Sequence, residues 1–599
     1  MSTLAVTSSP ALRAHGQHPR TSSLSIDALQ DAVDARHIGA TKDAFFRRLL
    51  VSDPAVQKNM LTLVTQELTA MVEEHDDLVE DYYPSIVRLA REAPFRAMRE
   101  AFAAIREDID SMWPELGGDV RAGQRVSYFI DNKHVESVIN NDDDEINALF
   151  CQTFLRTGRV SHFVQLLAWH KSYLALHQSS IVSIMMRDGA LPLPWRSYIA
   201  LMASSELRCN YLSDLQQYYF IVNGGDYEWT KGLDYIPPKL FRLHELSSLL
   251  AHRPWLITPQ HISELLSSNE DDSWSVSELV HAIIIMCMYH SMSSIALGLG
   301  CAEEEDLAIL SDEGANMAEQ QALHDIRFPE AFGSKDQQAE MDNVSSCGSI
   351  SDHEMASIER DESQLLKRLK SANDGSDTAE DDDEEEEDMD AILEGDADAE
   401  VFVDGEFEIA EQDTGYDIGS GSGRRRRDTL WRFCGGTVIR YADFDVRSSD
   451  YNVLHTEDFS WEEHGFSLVK RYFPGEAGHI LEDLFNLTGK LTYDFYGSEK
   501  EDVDTTPYRS AIWYYVHRIF GICHDDYDYR HVNVYLNRPT KIFIKKVACT
   551  PWKVTRSDFE HFDRTLSPSE KCHVTLLAAE ARKQAGLMYG LRAVMKHMR

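Results

Sequence analysis

The sequence predicts an all-α protein whose helical regions are joined by a long, acidic, disordered linker, and three observations carry that prediction. From about residue 41 to 300, apolar residues recur at three- and four-residue spacing with few strand-like alternations, the period of helices that bury one stripe. The last thirty residues repeat apolar positions at Val574, Leu577, Met588, Leu591, Val594, Met595 and Met598, which predicts one long amphipathic helix. Between these regions, residues 301–420 hold 39 Asp/Glu against 6 Lys/Arg, so most of the formal net charge of −42 resides there. Such a segment repels itself and cannot bury a core.

At 599 residues the chain is too long for one ordinary core and predicts roughly two to four domains. Residues 1–40 read as a disordered tail, because Pro10, Gly16 and Pro19 interrupt any continuous amphipathic helix of a transit peptide. A helical domain follows over 41–302. Within it the polar run 140–145 marks a subdivision, with Asp144 placed to cap the next helix. LPLPWR (191–196) is expected to be extended, since proline disfavours a helical residue before it, and GGD (224–226) to turn. Leu279–Ala302 lacks Asp, Glu, Lys and Arg but carries His281, His290 and three serines, which predicts a buried core helix and no membrane span. Residues 303–430 form the acidic linker, ending in GSGSG and Arg424–Arg427. Those arginines read either as an import or acidic-partner signal, or as a solvated run that neutralises the linker. The second helical domain spans 431–599, with KIFIKKVAC (541–549) expected to be extended.

The composition excludes some functions. With the acidity confined to one segment, the folded parts lack the basic footprint of a nucleic-acid binder. The nine cysteines are odd in number, widely spaced and nowhere in CxxC, which predicts neither a disulfide framework nor a structural zinc site and fits a cytoplasmic or nuclear compartment. His290, His464 and His517 read as core or cap residues, not metal ligands, and no cofactor is expected.

Several strings occur in a characteristic order: LPLPWRSYIALM (191–202), GGDYEW (224–229), LAHRPWLIT (250–258), FSWEEHGFSLVKRYFP (459–474), DDYDY (525–529), SEKCHV (569–574) and the EAR…YGLRAVM ending. Together they resemble the sestrins, over about 145–300 and 431–599. The resemblance implies two related helical domains similar to the alkylhydroperoxidase-D fold. It also implies a stress-responsive protein that restrains the target-of-rapamycin kinase complex by binding the GATOR complex, in some members released by leucine. A hydroperoxide-reducing antioxidant activity is the alternative.

Three sites follow from the resemblance. Peroxide reduction needs an activated thiolate, and the family pattern places Cys209 and Tyr211 there. The family His is Gln216 in this chain, and Leu212 stands where a CxxC partner would be. Glutamine cannot carry the proton, so Cys209 reads more readily as a small, inert residue of a buried helix. A free amino acid needs an acid for its ammonium and a cation for its carboxylate. The family positions are Glu570 and Arg509, with lid residues Thr492, Tyr493 and Thr505 and the interdomain His170. Phe495, in a longer lid loop, and Tyr508 depart from the pattern, and Asp563 replaces the floor tryptophan, so leucine selectivity is expected to be altered or lost. The competing expectation is that Glu570 and Arg509 simply pair with each other. Asp525 and Asp526 match the acidic pair through which sestrins dock on GATOR, flanked by Tyr527 and Tyr529 suited to an interface.

Overall fold

The computed structural model describes residues 45–74, 78–114, 116, 125–139, 141–267, 272–304, 306–307, 430–434, 439–473, 475–491 and 504–599. The N-terminal tail, nearly all of the acidic segment with Arg424–Arg427, and the lid positions Thr492, Tyr493 and Phe495 lie outside them. The described chain is mostly helical, as expected of the all-α class. The first half contains α1 (Pro54–Glu74), α2 (Leu78–Glu92), α3 (Arg96–Met112), α4 (Asp144–Thr157), α5 (His162–Leu167), α6 (Lys171–Ile181), α7 (Leu193–Glu206), α8 (Asn210–Val222), α9 (His244–His252), α10 (Pro259–Leu266) and α11 (Val276–Gly298). The second contains α12 (Phe466–Tyr472), α13 (Ala477–Lys490), α14 (Thr506–Ile519), α15 (Arg530–Tyr535), α16 (Arg538–Cys549), α17 (Arg556–His561) and α18 (Pro568–Met598). The only sheet among the described residues pairs β1 (Leu454–His455) with β2 (Ile522–Cys523) in parallel.

The centre of the molecule is the crossing of α11 and α18. Each helix starts with a reciprocal cap: Ser275 with Glu278, and Ser567 with Glu570. α11 is long and apolar enough to cross a membrane, but the whole of its apolar window is buried in protein, as the sequence predicts. α18 is buried almost all round until Val594, so its apolar stripe widens into a core helix. The two run antiparallel, because Cys287 meets Gly586 while Ile283 meets Gly590 and Gly298 meets Thr575. A methyl group at Gly298 would come 2.8 Å from Thr575 Cγ2, and one at Gly590 2.8 Å from Ile283 Cγ2. Glycine is therefore needed at both points of close approach.

These contacts are related by an internal pseudo-two-fold. Gly298 and Gly590 each stand twenty residues beyond their capping glutamates. α9, a 3-10 turn at Pro254–Leu256, α10 and α11 succeed one another as do α16, a 3-10 turn at Pro551–Lys553, α17 and α18. Thr258 caps α10 and Thr555 caps α17 in the same reciprocal way. Buried apolar residues from Leu49 to Val594 form one continuous cluster across both halves.

Three local expectations are corrected. KIFIKKVAC is the body of α16, not an extended piece. Its buried residues Thr540, Phe543, Ile544, Val547 and Ala548 follow helical spacing, Asn537 caps it, and Pro539 sits in the first turn, where no intrahelical hydrogen bond is lost. LPLPWR is extended only to Pro192, and α7 begins at Leu193 with Pro194 in its first turn. Asp143, not Asp144, caps α4, accepting from the Glu145 and Ile146 N–H groups. The beginning of the acidic segment is also built into the core: buried Arg159 pairs with Glu304 at 2.5 Å and Asp306 at 2.9 Å.

Candidate functional site

Of the amino-acid positions, Glu570 and His170 meet at the N-terminus of α18. Glu570, the third residue of that helix, is 3% exposed. Its Oε2 accepts the Ser567 N–H at 2.5 Å, while Oε1 is buried with no partner among the described residues. His573 lies one turn further on, with Nε2 3.0 Å from the Thr488 carbonyl of α13. From the first half, His170 reaches across with Nε2 3.0 Å from the Ser569 carbonyl, its ring 5.9 Å from that of His573. Burial holds His170 down at about 4 and His573 at about 3, so both are neutral at ordinary pH.

Arg509 stands in the first turn of α14. Its guanidinium donates to the Leu491 carbonyl at 2.7 Å and to Thr506 Oγ1 at 2.8 Å, leaving Nε buried without a partner among the described residues. Burial lowers its pKa, and its charge further depresses His573. Thr505, at the N-cap position, is buried. Arg509 and Glu570 do not pair with each other among the described contacts, which removes the expectation of a mutual salt bridge. Asp563 is 1% exposed. Its Oδ1 accepts from the Thr565 N–H and Oγ1, its Oδ2 is buried without a partner among the described residues, and burial raises its pKa. The described residues thus leave Glu570 Oε1, Arg509 Nε and Asp563 Oδ2 without a partner, and a buried polar atom costs desolvation energy until something satisfies it.

The thiol position is different. Cys209 is fully buried at the head of α8, and burial pushes its thiol up to about 12. The Tyr211 hydroxyl donates to Glu304 Oε1 at 2.9 Å and accepts the Phe163 N–H at 3.1 Å. It thereby belongs to the Arg159–Glu304–Asp306 charge network. Gln216 is buried too. A thiol in this setting stays protonated and is a poor nucleophile.

Asp525 and Asp526 stand exposed in the turn after β2, the Asp526 side chain 84% accessible. Behind them Tyr527 stacks between His524 at 3.8 Å and Tyr514 at 3.9 Å, and Tyr529 accepts the His524 N–H. The carboxylates are therefore presented from a rigid aromatic base.

The pseudo-two-fold reveals what the sequence reading passed over. Arg196 occupies in α7 the place of Arg509 in α14, each two residues after the helix's proline. His281 stands to Glu278 as His573 does to Glu570, and its Nε2 lies 2.9 Å from the Ile184 carbonyl. The Ser-x-x-Glu-x-x-His spacing, present at both 275–281 and 567–573, was the available signal. In this first copy Lys239 Nζ bonds both oxygens of Glu278, at 2.9 and 3.1 Å.

A helical, internally duplicated protein with a buried, charged site at one central helix N-terminus and an exposed acidic turn is the class that this geometry defines. The sequence family described as PA26 p53-induced protein (sestrin) matches residues 125–598. A sestrin homolog from Dictyostelium discoideum is 31% identical over 556 residues, 92% of this chain and 89% of that protein. Sestrin-1 of Macaca fascicularis is 35% identical over 80% of this chain and 91% of its own length. For human sestrin-2 the figures are 33%, 78% and 90%. The chain belongs to the sestrin family.

Proposed function

We propose that this sestrin is a stress- and nutrient-responsive regulator that restrains target-of-rapamycin signalling by binding the GATOR complex through Asp525 and Asp526. The amino-acid site at Glu570 and Arg509 adjusts that binding, with Thr492, Tyr493, Thr505 and His170 as its further ligand-binding positions. The observation that carries this reading is the buried Glu570 Oε1 without a partner among the described residues. An α-ammonium group is the small, charged donor that such an atom accommodates. The unmatched Asp563 Oδ2 favours an amino acid other than leucine, or one accompanied by water. The compartment that suits this role is the cytoplasm, or the nucleus.

Two experiments test the reading. Changing Asp525 and Asp526 together to Ala should abolish co-purification of GATOR while leaving the melting temperature in place; undiminished co-purification would refute the docking site. Peroxide reduction by Cys209 is the less favoured activity because burial keeps its thiol protonated, and peroxide turnover by purified protein that Cys209→Ser abolishes would reinstate it.

A further inference from the structure

Outside the amino-acid site, a second set of side chains comes together where the two halves of the small sheet meet. The parallel register places His455 of β1 directly opposite Cys523 of β2, and Asp525 follows two residues later in the turn. One donor atom of each, an imidazole nitrogen, the Cys523 Sγ and a carboxylate oxygen, lies within 4.8 Å of the others. We propose that His455, Cys523 and Asp525 form a binding site for a single divalent cation of the zinc type, with its fourth position open to water or to a side chain of a partner.

The donor set selects the metal. A thiolate and an imidazole suit Zn2+ and disfavour Mg2+ or Ca2+, which take oxygen ligands. Tetrahedral zinc bonds of about 2.0–2.3 Å put the ligand atoms roughly 3.3–3.8 Å apart, so the three must close by about an ångström. His455 and Asp525 are exposed and can supply that closure by side-chain rotation. Cys523 is the fixed point: its carbonyl accepts the Thr456 N–H at 3.1 Å, and its neighbour Gly521 accepts the Leu454 N–H at 2.8 Å. Gly521 has φ +70°, and its Cα faces the Phe444 ring so closely that a side chain there would strike it, which fixes the approach of β2. The Tyr529 hydroxyl hydrogen-bonds Cys523 and would remain beside the sulfur as an outer-shell donor.

Binding requires no redox partner. The Cys523 S–H bond breaks, its proton passes to solvent, and the sulfur lone pair forms the bond to the metal. The thiolate and the Asp525 carboxylate together neutralise the two positive charges. A cation held in this way removes Asp525 from the exposed acidic pair. The metal experiment reads no partner, so it stands or falls without the docking proposal.

The test is Co2+ titration of the full chain under reducing conditions. Co2+ bound through sulfur gives a thiolate-to-metal charge-transfer band in the near ultraviolet, which carboxylates of the acidic segment cannot produce. The expected result is one such equivalent, discharged by Zn2+, absent from Cys523→Ser and unchanged in Cys434→Ser. His455→Ala, at an exposed side chain that leaves the core untouched, should weaken Zn2+ binding by roughly 10–100-fold or more, read by competition with a chromophoric chelator. No charge-transfer band in the wild-type chain, a band that persists in Cys523→Ser, or Zn2+ affinity unchanged in His455→Ala would overturn the proposal.

Discussion

In the first half, Glu278 at the head of α11 receives two hydrogen bonds from Lys239; in the second, Glu570 at the head of α18 keeps a buried oxygen without a protein partner among the described residues. Glu278 is part-buried and Glu570 almost fully buried, but the two share a local motif. Each glutamate closes a reciprocal serine cap, each is followed one turn later by a buried histidine close to a main-chain carbonyl, and each of those histidines feels the charge of an arginine in the first turn of α7 or α14. The duplicated scaffold thus places a capping glutamate at the head of each central helix. A lysine of the chain itself fills the first copy, while no described residue fills the second, which is where the proposed ligand ammonium would sit. Burial pushes the Glu278 carboxyl up, but its hydrogen bonds to Ser275 and Lys239 prevail and hold it below the ordinary carboxylate range.

The comparison can be broken first at the helix crossing. Gly298→Val and Gly590→Val should each destabilise the protein by about 1–3 kcal/mol, the usual cost of overpacking, because the two glycines make equivalent contacts. Urea denaturation that shows one tolerated freely and the other not would contradict the pseudo-symmetry. The buried histidines give the next effect. Burial depresses His281 to about 4 and His573 to about 3, so the unfolded chain takes up protons at these sites before the folded one does. Stability is whole above the unfolded value near 6.5 and falls as pH drops from there toward 4 and 3, at up to about 1.4 kcal/mol per pH unit for each histidine. His281→Gln and His573→Gln should each flatten the acid limb of a stability–pH profile; an unaltered slope would deny that they are buried neutral. Smallest is the response of the two glutamates without ligand. Glu278→Gln removes the charge that Lys239 neutralises and should cost about 1 kcal/mol, whereas Glu570→Gln should be neutral or stabilising, since no described residue bonds the buried Oε1. Equal losses in chemical denaturation would erase the distinction between the copies.

Much of this architecture was legible in the sequence, and the exceptions have physical causes. The two central helices announce themselves through long apolar runs and Ser-x-x-Glu caps. α16 was misread because Ile542-Phe543-Ile544 looks like a strand core, although Ile542 is 43% exposed and the buried set repeats at helical spacing. Pro194 misled for a related reason: its restriction on Leu193 is a preference that a helix's first turn can override. Individual site residues were legible through their motifs, but their relations were not. No spacing reports that Arg509 bonds the Leu491 carbonyl and leaves Glu570 alone, or that His455 faces Cys523 across nearly seventy intervening residues. Such pairings arise only when distant segments pack.

The most direct measurement of the central claim is thermal stability of the full chain with each free amino acid in turn, compared among wild type, Glu570→Ala and Glu278→Ala. A ligand at one hundred times its dissociation constant should add about 2.7 kcal/mol, a rise of roughly a few degrees. The account predicts a shift with at least one amino acid in the wild type and in Glu278→Ala, and none in Glu570→Ala. A shift that survives in Glu570→Ala, or no shift with any amino acid, would contradict it.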